Sequence, residues 1–156
     1  MFKKLIILTL ILFFALFKPF VILAQDYSES ESFLAAKSAY DDGYYTESID
    51  LFNKFLDEFP TSPAIFEAKL YIAQCLFYSN RFIESRDTLM ELEKSYVPFA
   101  IEDRFLFLCG QIYIRVKDFK EAARYLKKII DNHPDSPLFT NAKMQLGWVL
   151  FQDAKY

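Results

Sequence analysis

The stretch Gly43–Pro60, GYYTESIDLFNKFLDEFP, returns twice along the chain, as NRFIESRDTLMELEKSYVP (Asn80–Pro98) and KDFKEAARYLKKIIDNHP (Lys117–Pro134). Aligned on the small residue of the central turn, Ser48, Ser85 and Ala122 fall at intervals of 37 residues. The aromatic three positions earlier keeps the register (Tyr45, Phe82, Phe119), and so does the acid just before the small residue (Glu47, Glu84, Glu121). A fixed period of this size without strand signals predicts an all-α solenoid of antiparallel helix pairs, winding as a right-handed superhelix.

Outward from that stretch, each copy follows a second helical pattern. Phe33, Ala36, Ala39 and Tyr40 recur at three- and four-residue steps, the spacing of one helix face. Gly43 stops this helix in the left-handed conformation that suits a C-terminal cap, and Asn80 and Lys117 hold the same place in the later copies. The second helix carries Ser48, Phe52, Phe55, Leu56 and Phe59 as its apolar stripe. Thr61-Ser62-Pro63 and Asp135-Ser136-Pro137 offer Ser as helix cap and Pro at the first helical position. A small column, Ala36, Ala73, Gly110 and Gly147, recurs at the same period and lets the paired helix approach closely.

These signals divide the chain into repeats at 33–60, 63–97 and 100–134, and the first helix of an incomplete fourth at 137–156. Residues 25–32, polar and short, read as a flexible lead-in. Residues 1–24 begin with Lys3-Lys4, continue through an apolar core and end at Ala24, the order of a secretory signal peptide; an uncleaved membrane anchor is the alternative. The expected location is therefore exported, periplasmic or envelope-associated, with membrane contact only through an uncleaved N-terminal segment. Tyr156 holds the aromatic position of a fourth turn, 37 residues after Phe119. The last helix is apolar around much of its circumference. The expectation is a piece of a longer repeat array, able to self-associate through that helix.

Composition narrows the function classes. The chain is 53% hydrophobic and carries a net charge of −3. All 21 acids lie at or after Asp26, so the remainder is at 15 − 21 = −6, which disfavours nucleic acid as a partner. Cys75 and Cys109 sit in apolar helical runs and read as unpaired core thiols, with a disulfide, which export would permit, as the alternative. His133 is the single histidine, at a helix end. The run Lys117, Lys120, Arg124, Lys127 and Lys128 is interleaved with acids and reads as a solvated face, with an acidic partner or lipid surface as the alternative. No paired His and acid, glycine-rich phosphate loop or metal-ligand spacing is present, so the expectation is no enzyme, no cofactor and no metal.

The columns resemble the tetratricopeptide repeat: CGQIY, KDFKEA, Leu126 and Pro134 in the third copy, and AAKSAY, GYYTES, Phe52 and Pro60 in the first. The usual period is about 34 residues, and the extra residues fall around FPTSP and HPDSP. This long form is similar to the periplasmic type that includes the outer-membrane assembly lipoprotein BamD and the Tol–Pal-associated protein CpoB. BamD-like members carry a lipidated Cys after the signal peptide, and this chain has none there. The resemblance implies an exported scaffold or adaptor that binds protein or peptide partners in cell-envelope assembly or maintenance. The alternatives are an N-terminal interaction module of a longer protein with a downstream effector domain, and a glycan- or ligand-binding repeat. It also implies a partner groove lined by the first helices, with Lys37, Tyr40, Gln74, Phe77, Gln111, Ile114 and Trp148 as its candidate residues, and Phe33, Leu70, Phe107, Met144 and Phe151 beside them. Rings at helical spacing also serve as packing between helices.

Overall fold

The computed structural model describes residues 28–154, and the proposed signal segment lies outside them. Seven helices follow one another: α1 (28–41), α2 (Tyr45–Glu58), α3 (Ile65–Tyr78), α4 (Phe82–Glu93), α5 (Phe99–Arg115), α6 (Phe119–Asn132) and α7 (Phe139–Asp153). They form three helix pairs and one further helix, with no strand among the described residues. Each helix packs chiefly on its neighbours in sequence, the quasi-one-dimensional arrangement of a solenoid.

The turn inside each pair is the same device three times. Gly43, Asn80 and Lys117 adopt φ of 81°, 61° and 63°, all left-handed. In each turn the amide of this residue donates to the carbonyl three back, and the next amide donates to the carbonyl five before it. For the first turn these are Gly43 to Tyr40 (3.0 Å) and Tyr44 to Ala39 (2.9 Å). For the third they are Lys117 to Ile114 (3.1 Å) and Asp118 to Tyr113 (2.9 Å). This pairing satisfies carbonyls that the helix end would otherwise leave open. Lys117 holds the conformation although its Cβ disfavours it.

Between pairs, two corrections apply. The prolines at 63 and 137 sit in turns ahead of their helices, which begin at Ile65 and Phe139, rather than at the first helical position. Ser62 and Ser136 accept from the amides two residues on, Ala64 (2.9 Å) and Leu138 (3.0 Å), and so cap the turn instead of the helix. The lead-in is also shorter than expected, since residues 28–32 are already helical. The Glu29 carboxylate accepts from Ser62 Oγ at 2.5 Å, and the same strut returns 74 residues later from Ser136 Oγ to Asp103. That bond ties the start of α1 to the connector into the next repeat, while Phe33, edge-on to Phe52 and Phe55, ties it to α2 of its own pair.

The small columns meet as their spacing predicts. Ala36, Ala73, Ser48, Ser85 and Ala122 are fully buried, and the Ser48 and Ser85 hydroxyls donate to the Ala36 and Ala73 carbonyls at 2.9 and 2.7 Å. The α3 helix lies between two core clusters. Ala68, Tyr71, Ile72 and Leu76 face α1 and α2, whereas Phe66, Leu70, Ala73 and Phe77 face the later helices. Its sequence is accordingly apolar nearly all round. Cys75 and Cys109 are unpaired and buried, and burial pushes both thiols up, away from the reactive thiolate.

Candidate binding groove

A cleft of about 280 Å³ opens on the side formed by three successive first helices. Phe77 enters it from the end of α3, Gln111, Ile114 and Arg115 from the last turns of α5, and Gln145 and Trp148 from the middle of α7. The 37-residue period explains the meeting: Phe77 and Ile114 occupy the same register in neighbouring repeats, as do Gln111 and Trp148.

Apolar walls and polar fittings alternate here. Phe77 is buried and presents a fixed surface. Trp148 is 47% exposed and is held by an edge-on contact with Phe119, ring centroids 5.8 Å apart. Arg115 lies over the rings of Phe77 and Phe82 at 5.7 and 5.5 Å and forms no ion pair with any described residue. The rings thus orient a guanidinium whose charge stays available at the mouth of the cleft. The Oε1 atoms of Gln74 and Gln145 are buried and accept no hydrogen bond from any described residue. Buried acceptors left open are costly, and an incoming N–H would relieve them.

Of the seven candidate residues, the cleft brings together Phe77, Gln111, Ile114 and Trp148. Gln74 lies one repeat before Gln111 in the same column but does not line the cleft. Lys37 is occupied by an ion pair with Asp41 on its own helix, which raises its pKa. Tyr40 is built into an aromatic cluster, its ring 5.0 Å from Tyr71 and 6.0 Å from Tyr45; burial drives its hydroxyl pKa up. Neither lines the cleft, and Tyr40 packs at the seam between the first and second repeats. Met144 and Phe151 stand apart from the cleft, exposed on another face of α7.

Sequence reasoning missed Arg115 and Gln145. Arg115 follows Ile114 directly and both line the cleft; neighbours on a helix point about 100° apart, so the register that carried Ile114 did not carry Arg115. Gln145 lies one turn before Trp148, a spacing that could have placed it on the same face.

The tetratricopeptide repeat family profile matches residues 105–136, which span most of α5, all of α6 and the turn between them. No curated protein matches the chain. Among solved structures, the first tetratricopeptide domain of the human RPAP3 protein is similar with a TM-score of 0.62 at 17% identity, over 82% of this chain and 97% of that one. MamA (41-end) from Desulfovibrio magneticus RS-1 is similar with a TM-score of 0.58 at 14% identity, over 81% of this chain and 76% of that one. The all-helical, tetratricopeptide-like fold is thereby shown.

Proposed function

We propose that this chain is an exported scaffold whose first-helix cleft holds a peptide segment of a cell-envelope protein. The observation that carries the binding reading is the cleft itself: an apolar slot beside an unpaired guanidinium and an open amide acceptor. Its shape suits one bulky apolar side chain, with peptide N–H groups on the glutamines and an acidic neighbour on Arg115. Export is supported by the basic-apolar-polar order of residues 1–24, and an envelope role by the long-repeat resemblance.

Selection of displayed peptides on the full chain tests the cleft. Sequences joining a bulky apolar residue to Asp or Glu should be enriched. Trp148→Ala and Gln111→Ala should weaken their binding by about tenfold or more, equivalent to about 1.4 kcal/mol. Arg115→Ala should remove the acidic preference while leaving the apolar one. Absence of enrichment, affinities indifferent to all three changes, or retention of glycan instead of peptide would overturn the reading. Fractionation of cells carrying the tagged chain tests export: an unprocessed chain recovered in the cytoplasm would remove that part.

A further inference from the structure

The second helices of the pairs, α2, α4 and α6, contribute nothing to the cleft and carry a surface of their own. Three positions on each share one register: Thr46, Asp50 and Asn53 on α2, Ile83, Asp87 and Met90 on α4, and Lys120, Arg124 and Lys127 on α6. All nine are exposed, so packing leaves their identity free. Only α6 fills all three with cations. At steps of four and three residues they share one helix face, about 10 Å long.

Most of that charge is not consumed inside the chain. Asp118 accepts from the Glu121 amide at 3.1 Å and so caps α6, and the Glu121 carboxylate pairs with Arg124 at 2.7 Å. Glu93 of α4 accepts from the Tyr125 hydroxyl at 2.6 Å and lies 3.8 Å from Arg124. Lys117, Lys120 and Lys127 form no ion pair with any described residue, and Lys128 has only the Tyr125 ring, 5.5 Å away. Against these lysines, Asp131 is the acid of α6 left without an ion pair among the described residues.

The adjoining helix supplies a second kind of contact. The bonds of Glu93 place α4 beside α6, and α4 exposes Ile83 (63%) and Met90 (46%), two turns apart on one face. Between them Asp87 is paired with Arg86 at 2.9 Å, and Glu84 with Arg81 at 2.6 Å; Glu91 has no ion pair with a described residue. Free cations beside two protruding apolar side chains suit the headgroup boundary of an anionic bilayer, where lysines meet phosphates and apolar groups enter the acyl edge. An acidic peptide would use the cations and leave Ile83 and Met90 in water. We propose that α4 and α6 form a docking face for an anionic phospholipid membrane, with Lys120 and Lys127 on the phosphates and Ile83 and Met90 at the apolar boundary. The cleft lies on other helices, so the face acts independently of any peptide bound there.

Residues 1–24 are apolar enough to enter a bilayer themselves, so the test places its readout on the face. A polarity-sensitive fluorophore is attached to the full chain at Met90→Cys, with Asn53→Cys, its counterpart on α2, as control; the native thiols are buried. Vesicles of mixed phosphatidylglycerol and phosphatidylcholine should shift the label at 90 to the blue, and pure phosphatidylcholine should not. Raising salt from about 0.1 M to about 1 M should reverse the shift. The label at 53 should stay unchanged. Lys120→Glu with Lys127→Glu should raise the lipid concentration at half-shift by at least about tenfold, whereas Lys120→Arg with Lys127→Arg should retain it. Far-UV circular dichroism should be the same for all, since these side chains are exposed. No shift at 90, an equal shift at 53, equal response to both vesicles, or indifference to charge reversal would overturn the proposal. So would a response to poly-glutamate in place of vesicles, which would make the partner an acidic protein.

Discussion

In the second helix pair, Ser85 Oγ reaches the Ala73 carbonyl at 2.7 Å, and both residues keep a Cβ at the seam. In the third pair the same positions hold Ala122 and Gly110, with no hydroxyl and only one Cβ. The volume that Gly110 leaves is taken by Leu126, whose Cδ2 and Cγ would lie 2.8 and 2.9 Å from an added methyl. Both seams are sealed, one by a hydrogen bond to a helix carbonyl and the other by a leucine driven against bare backbone. Close approach is therefore the constraint on the repeat, and the group that fills the gap is exchangeable. Gly147 extends the comparison: it has the same column and the same residue as Gly110, but no described residue covers it.

The largest effect should come from emptying the third seam. Leu126 is fully buried, and Leu126→Ala should cost about 2–5 kcal/mol in urea denaturation. In a Gly110→Ala background the same change should cost less, by at least about 0.5 kcal/mol, because the new methyl occupies part of the cavity. Strict additivity would break the claim that Leu126 fills the space of the missing Cβ.

Next comes Gly110→Ala alone. Overpacking should outweigh the gain in helix propensity and destabilise by about 1–3 kcal/mol. At Gly147 the same substitution has room, and propensity acts unopposed. Gly147→Ala should stabilise by up to about 1 kcal/mol in urea denaturation. Equal signs at the two glycines would show that the difference in their surroundings has no energetic weight.

The smallest expected effect lies in the second seam. Ser85→Ala removes one hydrogen bond and should cost about 0.5–1.5 kcal/mol. The Ala73 carbonyl still lies within α3, so no acceptor is stranded. The third pair already tolerates Ala at this position. A loss above about 3 kcal/mol would mean that the hydroxyl, rather than close approach, closes the pair.

Much of this architecture was legible in the residues alone. The 37-residue period, the pairing of helices and the two small columns follow from spacing, because helix faces repeat by fixed geometry. The three left-handed turns follow from position. Even Lys117 obeys, since satisfying the carbonyls at the helix end outweighs the modest strain at its Cβ. Four members of the cleft were legible because one register carried through successive repeats brings equivalent positions together.

The remainder was decided by tertiary packing. The first helix reaches back to Glu29, whose carboxylate accepts from Ser62, 33 residues away, and nothing in QDYSESES carries that contact. Residues near the boundary between two helix faces, such as Arg115 or Met144, are assigned by how neighbouring helices cross. Periodicity constrains that crossing only loosely. Gly110 and Gly147 are indistinguishable in the repeat pattern, yet one meets a packed leucine and the other open space. The pattern of one helix specifies which face can be buried; only the position of a second helix determines whether it is.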